Sequence, residues 1–414
     1  MTAIPRRHEL ISPGSHMSAP PTNSVWLNSS DPTEATWVRE CVDVASRLLA
    51  SGTITTPTLL MNRAVLRDNL ARWRRHLPDV VPHYAVKANI DPLVLRELFA
   101  AGAAADVASA YEVEVCRALG LGGDRMILSN PRKDRDTVRA LKDVRAWATT
   151  VDSEEEVEKL AEVGIPGNGY DPLLFVRIKV PTRGVKQDLS TKFGIRVVPP
   201  EAEPAFGGPV PRVSLSEIRA VFGRARAAGF ARFGLAFHVG TQCADPTVYI
   251  SALAVCRAVA DGLRAGGIEV SWIDIGGGFA DARVVTGNAA SGVPATHDTL
   301  LAAVGEAAGD ISRAGFRLLA EPGRYLVAAA GVLVTRVTYD RSTDLTGRRV
   351  QIDDGVYRTL SGRVHDDRDF RFHAFRSGSP TRPFLGMTTR FAVWGCSCDS
   401  FDKVTDDQLL PADL

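Results

Sequence analysis

Two hydrophobic rhythms alternate along most of the chain. Short apolar runs, of the length and density of strands buried on both faces, lie at 81–86, 104–108, 125–129, 147–151, 174–180, 234–239, 270–275 and 317–320. Between them, apolar positions recur every three or four residues over 92–101, 111–119, 134–143, 154–163, 215–228, 247–265 and 299–314, the spacing of one helical face. Gly102, Gly164, Gly229, Gly266 and Gly315 follow helical stretches, where a residue free to turn left-handed ends a helix. Strands alternating with helices make a parallel sheet, because a parallel pair needs a long crossover. Eight such units in about 240 residues fit a closed (β/α)8 barrel of the TIM type. An open doubly wound sheet competes, but it commonly has about five or six strands.

After Glu321 the rhythm changes. The runs 332–339, 349–355, 370–375 and 390–396 read as strands with no helix between them, so an antiparallel β domain, a sandwich or small barrel, follows the α/β barrel. Residues 56–61, ahead of a helix at 63–76, are expected to join it. The divisions are therefore a disordered leader at 1–24, a segment at 25–61 partly joining the β domain, the barrel at 62–320 and the β domain at 321–414. Gly14-Ser15-His16-Met17 in the leader resembles a vector-derived junction. The Pro- and Gly-rich stretch 197–212 reads as a long loop, either a lid or a disordered insertion.

Composition narrows the function classes. A hydrophobic fraction of 45% with 23% charged residues is globular, not disordered. A net charge of +1 leaves no excess to neutralise phosphates, so no nucleic-acid partner is expected. No run approaches the roughly 18 apolar residues of a membrane span. Six sparse cysteines read as reduced thiols of a cytoplasmic protein, and the histidines show no zinc spacing with them, so no metal is expected.

Barrel active sites form where the strands end, and reactive residue types stand there. Lys87 closes the first strand, where desolvation would lower its pKa and make a nucleophilic amine, although a lysine snorkelling from a strand end is the blander reading. His238 ends the sixth strand; alone, it reads equally as a satisfied core histidine. Gly276, Gly277 and Gly278 follow the seventh, where bare backbone N–H groups can approach an anion. Glu321 and Arg324 follow the eighth and offer a carboxylate and a phosphate-binding guanidinium. Together they imply a phosphorylated aromatic aldehyde held as a Schiff base: pyridoxal 5'-phosphate.

From about Thr56 to Asp402 the chain resembles the alanine-racemase-fold (fold type III) decarboxylases of ornithine, lysine, diaminopimelate and arginine, which use that cofactor. Tyr84-Ala85-Val86-Lys87-Ala88-Asn89 is similar to the family's cofactor-lysine motif. The resemblance implies that His238 stacks on the cofactor, that Thr241 replaces a phosphate-binding serine, and that Gly276–Gly278 and Arg324 hold the phosphate. It places Glu321 on the pyridine nitrogen and Asp106 and Ser109 near the cofactor. Trp394-Gly395-Cys396-Ser397-Cys398-Asp399 resembles a segment that enters the partner subunit's site. Cys398 would there reprotonate the substrate carbon, and Asp399 would meet a distal amino group. Asp353-Asp354-Gly355-Val356-Tyr357 resembles a second substrate motif, with Asp354 carried over.

The sequence departs from the family at Arg358-Thr359-Leu360, where Gly-Ser-Phe is usual, and at Cys396-Ser397, where Pro-Thr is usual. The chain ends at Leu414, before a family segment whose tyrosine helps hold the phosphate, so a truncated β domain is expected. The expected activity is decarboxylation of a basic L-amino acid, ornithine or lysine-like, by a homodimer with shared sites. Its product would serve polyamine or specialised-metabolite synthesis. Diaminopimelate, arginine or a carrier-linked amino acid is the alternative substrate. A racemase is a rival activity, and a non-catalytic cofactor-binding homologue is the rival outside catalysis.

Overall fold

The computed structural model of the chain describes residues 24–27, 34–180, 182, 192–198, 213–281, 297–340, 347–365, 368, 370, 372–376 and 387–414. The expected leader, apart from Ser24 in a short strand, and nearly all of the 197–212 loop lie outside them; only Val197 and Val198 of that loop are described, and both are buried. All eight predicted barrel strands form: Val80–Ala85, Ala104–Val107, Met126–Leu128, Ala148–Val151, Leu173–Lys179, Phe233–Ala236, Trp272–Asp274 and Arg317–Ala320. Each pairs in parallel with its sequence neighbour, and the eighth with the first, so the sheet closes. The closed barrel, not the open sheet, is the architecture.

Helices cover its outside and start on short polar caps. Asp91, Ser109, Asp134, Ser153 and Asp245 each accept a backbone N–H of the helix that follows, satisfying a donor that has no partner within the helix. The main core lies between these helices and the strands. A smaller cluster of Ile127, Ala148, Leu173, Phe175, Ala236 and Leu319 fills the barrel itself, as the layered interior of this fold requires. Pro246–Ala265 is apolar and long enough to cross a membrane, but Val248, Ala252, Val255, Val259 and Leu263 bury one face of it in the barrel's core.

The tail is a four-stranded sheet of Val337–Asp340, Arg349–Ile352, Thr388–Trp394 and Lys403–Pro411. Its outer pairs are antiparallel, as expected, but Arg349–Ile352 and Thr388–Trp394 run parallel. The predicted 332–339 strand is two. Gly331–Val334 pairs antiparallel with Thr58–Asn62, which does join the tail as expected. The chain then changes sheet at Arg336, whose N–H is taken by Asp353. The 370–375 run forms no strand among its described residues; Phe370 and Phe372 earn its apolar character by packing on the tail's core from irregular backbone. Lys403–Pro411 was not legible because only Val404 and Leu410 of it are buried. Helix Glu34–Ala50 also went unpredicted; it lays Cys41 and Ala45 on a small core with Leu60 and Val334.

His83 is buried inside the first strand and stacks on Trp147, which meets Trp272 edge-on. Burial pushes its pKa down to about 4 from an ordinary 6.5. The unfolded chain therefore takes up a proton between those values that the folded chain refuses. The resulting stabilisation is complete above pH 6.5 and is lost as the pH falls toward 4. Thermal unfolding of His83→Phe should accordingly lose less stability than the parent between about pH 7 and pH 5; equal pH slopes would refute a neutral buried His83.

Candidate active site

The ends of the strands assemble one cavity of about 650 Å³ at the barrel mouth. Lys87, His238, Thr241, Gly277, Gly278, Glu321 and Arg324 line it, with Thr359–Gly362, His365 and Arg368 closing it from the tail. Lys87 sits in a tight turn just past the first strand, and its Nζ lies 3.7 Å from Asp106 Oδ2, at the end of the adjacent second strand. The lysine is deep in the molecule, yet its side chain stays 59% accessible because it stands in the cavity, whereas Asp106 is sealed below it.

Burial was expected to lower the Lys87 pKa, and here the structure corrects the sequence. Asp106, ahead of Glu321, holds the ammonium above its ordinary pKa and outweighs desolvation. Asp106 in turn is pushed up to about 7, first by burial and then by Glu321, against the pull of Lys87. The two form an ion pair across the cavity floor, with the proton held on the amine. Neither Asp106 oxygen has a hydrogen-bond partner of good geometry, an orphaned buried acid aimed at the cavity floor.

Glu321 is half-buried, deep in the cavity wall. Burial raises its pKa, but the facing Asp274, Lys87 and His238 together bring it below the ordinary carboxylate range. Asp274 goes the other way: burial and the Glu321 charge push it well above that range. The pair thus keeps one proton, on Asp274. Its Oδ1 accepts Gly276 N–H at 2.8 Å, a bond that favours the charged form and is outweighed by burial and the Glu321 charge. His238 is neutral, its pKa pushed down to about 3 by burial and by Arg177. Gly240 N–H donates to its Nδ1 at 3.0 Å, which puts the ring proton on Nε2.

The glycine loop fits an anion. Gly276 and Gly278 take φ of +67° and +91°, and a Cβ on either would collide with the carbonyls of Phe237 and Gly240. The N–H groups of Gly277 and Gly278 have no acceptor among the described residues, so two donors face the cavity beside Thr241 and Arg324. A neutral ring, an anionic carboxylate, an amine and an anion cradle in one cavity are the donor set that pyridoxal phosphate requires.

Other expected residues lie elsewhere. Ser109 caps helix Ala110–Ala118, its Oγ accepting Glu112 N–H. Asp354 is buried in its own turn; Oδ1 accepts the N–H groups of Gly355 and Thr359 and Oδ2 accepts the Thr359 hydroxyl. It holds the Thr359–Gly362 wall and does not face the cavity. Cys398 and Asp399 are exposed outside the cavity, and Tyr357 Oη donates to Asp399 Oδ2 at 2.7 Å. Asp274, Ser129, Glu112 and Arg177 went unremarked in the sequence, although each shapes a pKa at the site. The available signal was charge inside apolar strands: Asp274 ends one, and Arg177 interrupts Leu173–Lys179.

Residues 63–328 match the family described as pyridoxal-dependent decarboxylase, pyridoxal binding domain. A lysine/ornithine decarboxylase of Selenomonas ruminantium is 31% identical over 86% of this chain and 81% of its own length. The structure of a lysine decarboxylase from that organism superposes with a TM-score of 0.72 at 29% identity, covering 88% of this chain and 86% of that one. A lysine/ornithine decarboxylase from Vibrio vulnificus, complexed with putrescine, gives 0.70 at 27% identity over 89% and 88%. With this site at the mouth of this barrel, the chain belongs to the pyridoxal-phosphate-dependent decarboxylases of the ornithine and lysine decarboxylase family.

Proposed function

We propose that the protein decarboxylates a basic L-amino acid of the ornithine or lysine kind, and that it does so in the cytoplasm as a homodimer with shared active sites. The observation that carries this reading is a division of labour. Lys87, His238, Glu321 and the glycine loop share one cavity, while Cys398 and Asp399 are presented to solvent outside it. Beside them, Phe401 and Tyr357 are large apolar groups left 80% and 59% exposed, which fits a face covered by a second subunit. A thiol that must stay free fits a reducing compartment.

Pyridoxal phosphate, when bound, supplies a protonated ring that accepts the electrons released as the α-carboxylate leaves. The chain's own residues set up that chemistry. Lys87 is the amine that would hold the cofactor's aldehyde, and Asp106, 3.7 Å from its Nζ, orients it and balances its charge. Glu321, held anionic by its surroundings, is the carboxylate that would pair with the cofactor's pyridine nitrogen. The neutral His238 ring shields one cofactor face from water without adding a charge. Cys398 of the neighbouring subunit delivers a proton to Cα, and Asp399 beside it takes the distal ammonium of the substrate.

Carbon dioxide release should be highest with ornithine or lysine across a panel that includes arginine and diaminopimelate; preference for a neutral side chain would overturn the assignment. Lys87→Ala should abolish turnover together with the visible absorbance of the bound cofactor. Glu321→Gln should slow turnover by about two orders of magnitude or more while cofactor is retained; unchanged turnover would remove Glu321 from the pyridine. Lys87→Ala and Cys398→Ala proteins, each nearly inactive, should recover about a quarter of wild-type activity once their subunits reassort. No recovery after verified exchange would place Cys398 outside a shared site.

A further inference from the structure

We infer that Arg368 is an additional ligand for the cofactor phosphate, delivered by the β domain to the cradle on the barrel. The inference rests on pyridoxal phosphate being the group held in this cavity. Arg368 lines the cavity with Thr241, Gly278 and Arg324. Its Nη2 is 2.7 Å from Asp281 Oδ2, in an ion pair where the arginine is 19% and the aspartate 1% accessible. Asp281 is also read by Gln242, whose Oε1 accepts the Asp281 N–H and whose Nε2 donates to Oδ2, each at 3.3 Å.

The place of those two anchors locates the guanidinium. Gln242 directly follows Thr241, and Asp281 stands three residues past Gly278, so both belong to the loops that form the anion cradle. Gln242 is buried and holds φ at +53°, a conformation that costs a non-glycine residue and persists only where contacts impose it. The contacts that impose it are the bonds to Asp281. The loops after the sixth and seventh strands are thereby locked together, and Arg368 is clamped against both.

Electrostatics then selects the occupant. A buried carboxylate a few residues from a bound phosphate would repel it, so Asp281 is tolerable there only beneath a cation. Arg368 supplies that cation, and a guanidinium has five N–H donors, of which the Asp281 contact occupies one. Because Arg368 lines the cavity, a phosphate there would complete the arginine's coordination while Asp281 fixes its direction. Arg368 is therefore oriented by one anion to receive another.

The test compares the cofactor with its phosphate-free form, pyridoxal, titrated by absorbance into the full-length protein stripped of cofactor. Arg368→Gln should weaken pyridoxal phosphate about tenfold or more and leave pyridoxal within about twofold. Arg368→Lys, which restores the charge without the planar fork, should fall between. It also serves if the glutamine variant does not fold by circular dichroism. Equal weakening of both compounds would show that Arg368 only fastens the domains together, and no change in either would show that it is idle; both overturn the inference. Failure of the wild type to prefer pyridoxal phosphate over pyridoxal would instead overturn the cofactor assignment.

Discussion

One proton shared by Asp274 and Glu321 sets the charge of everything else at the barrel mouth. Both carboxyl groups lie deep in the barrel mouth, and two like charges cannot both ionise cheaply in a space with so little solvent. Their surroundings decide between them: burial and the Glu321 charge raise Asp274 against the opposing pull of Gly276 N–H, while Asp274, Lys87 and His238 lower Glu321. Asp274 keeps the proton and Glu321 keeps the charge. That single anion then raises the Asp106 and Lys87 pKa values from across the cavity, so the state of the amine depends on a pair it does not touch.

Backbone closure builds the pair before any side chain contributes. Asp274 is registered against Leu319 across the last two strands, and Glu321 N–H is bonded to Gly276 carbonyl at 2.8 Å just beyond them. The glycines are demanded by the same crossing, since a Cβ on Gly277 would stand 2.8 Å from the Glu321 carbonyl. The loop is therefore bare for two reasons at once. It must pass under its neighbours, and in doing so it turns two N–H groups toward the cavity. The anion cradle follows from the packing of strand ends, and Asp281 and Gln242 extend that lock outward to the tail.

How far this was legible from sequence follows from what each signal depends on. Strand and helix periodicities depend on burial in a closed barrel, and every one of the eight strands was found. Lys87, His238, two of the glycines and Glu321 could be brought to one cavity from sequence because strand ends are a fixed address in this fold. The Lys87 pKa was misjudged because its direction depends on Asp106 and Glu321, which come close only when the second and eighth strands flank the first. The surroundings of Asp354 were hidden for a related reason. A carboxylate in a motif advertises a ligand, but only the folded turn shows that three donors of its own segment already occupy it. In the tail, hydrophobic content was mistaken for strand at 370–375, and a largely polar true strand at Lys403–Pro411 was passed over.

The same tail contains a buried acid whose purpose is mechanical. Asp402 is 1% accessible, and its two oxygens accept Val356 N–H and Ser397 N–H, each at 2.8 Å. Gly355 and Gly395 press so closely on it that neither could carry a side chain. One carboxylate thus ties the Asp354–Tyr357 turn to the Gly395–Asp399 loop, and Tyr357 completes the tie through Asp399. Burying an acid and two glycines to stiffen a surface loop is costly for a monomer, because the loop's own residues gain no burial from it. What the tie does hold in place is an exposed thiol and an exposed carboxylate, Cys398 and Asp399. The exposed Cys398 loop and the Lys87 amine thus each lie against a buried carboxyl group, Asp402 for the one and Asp106 for the other.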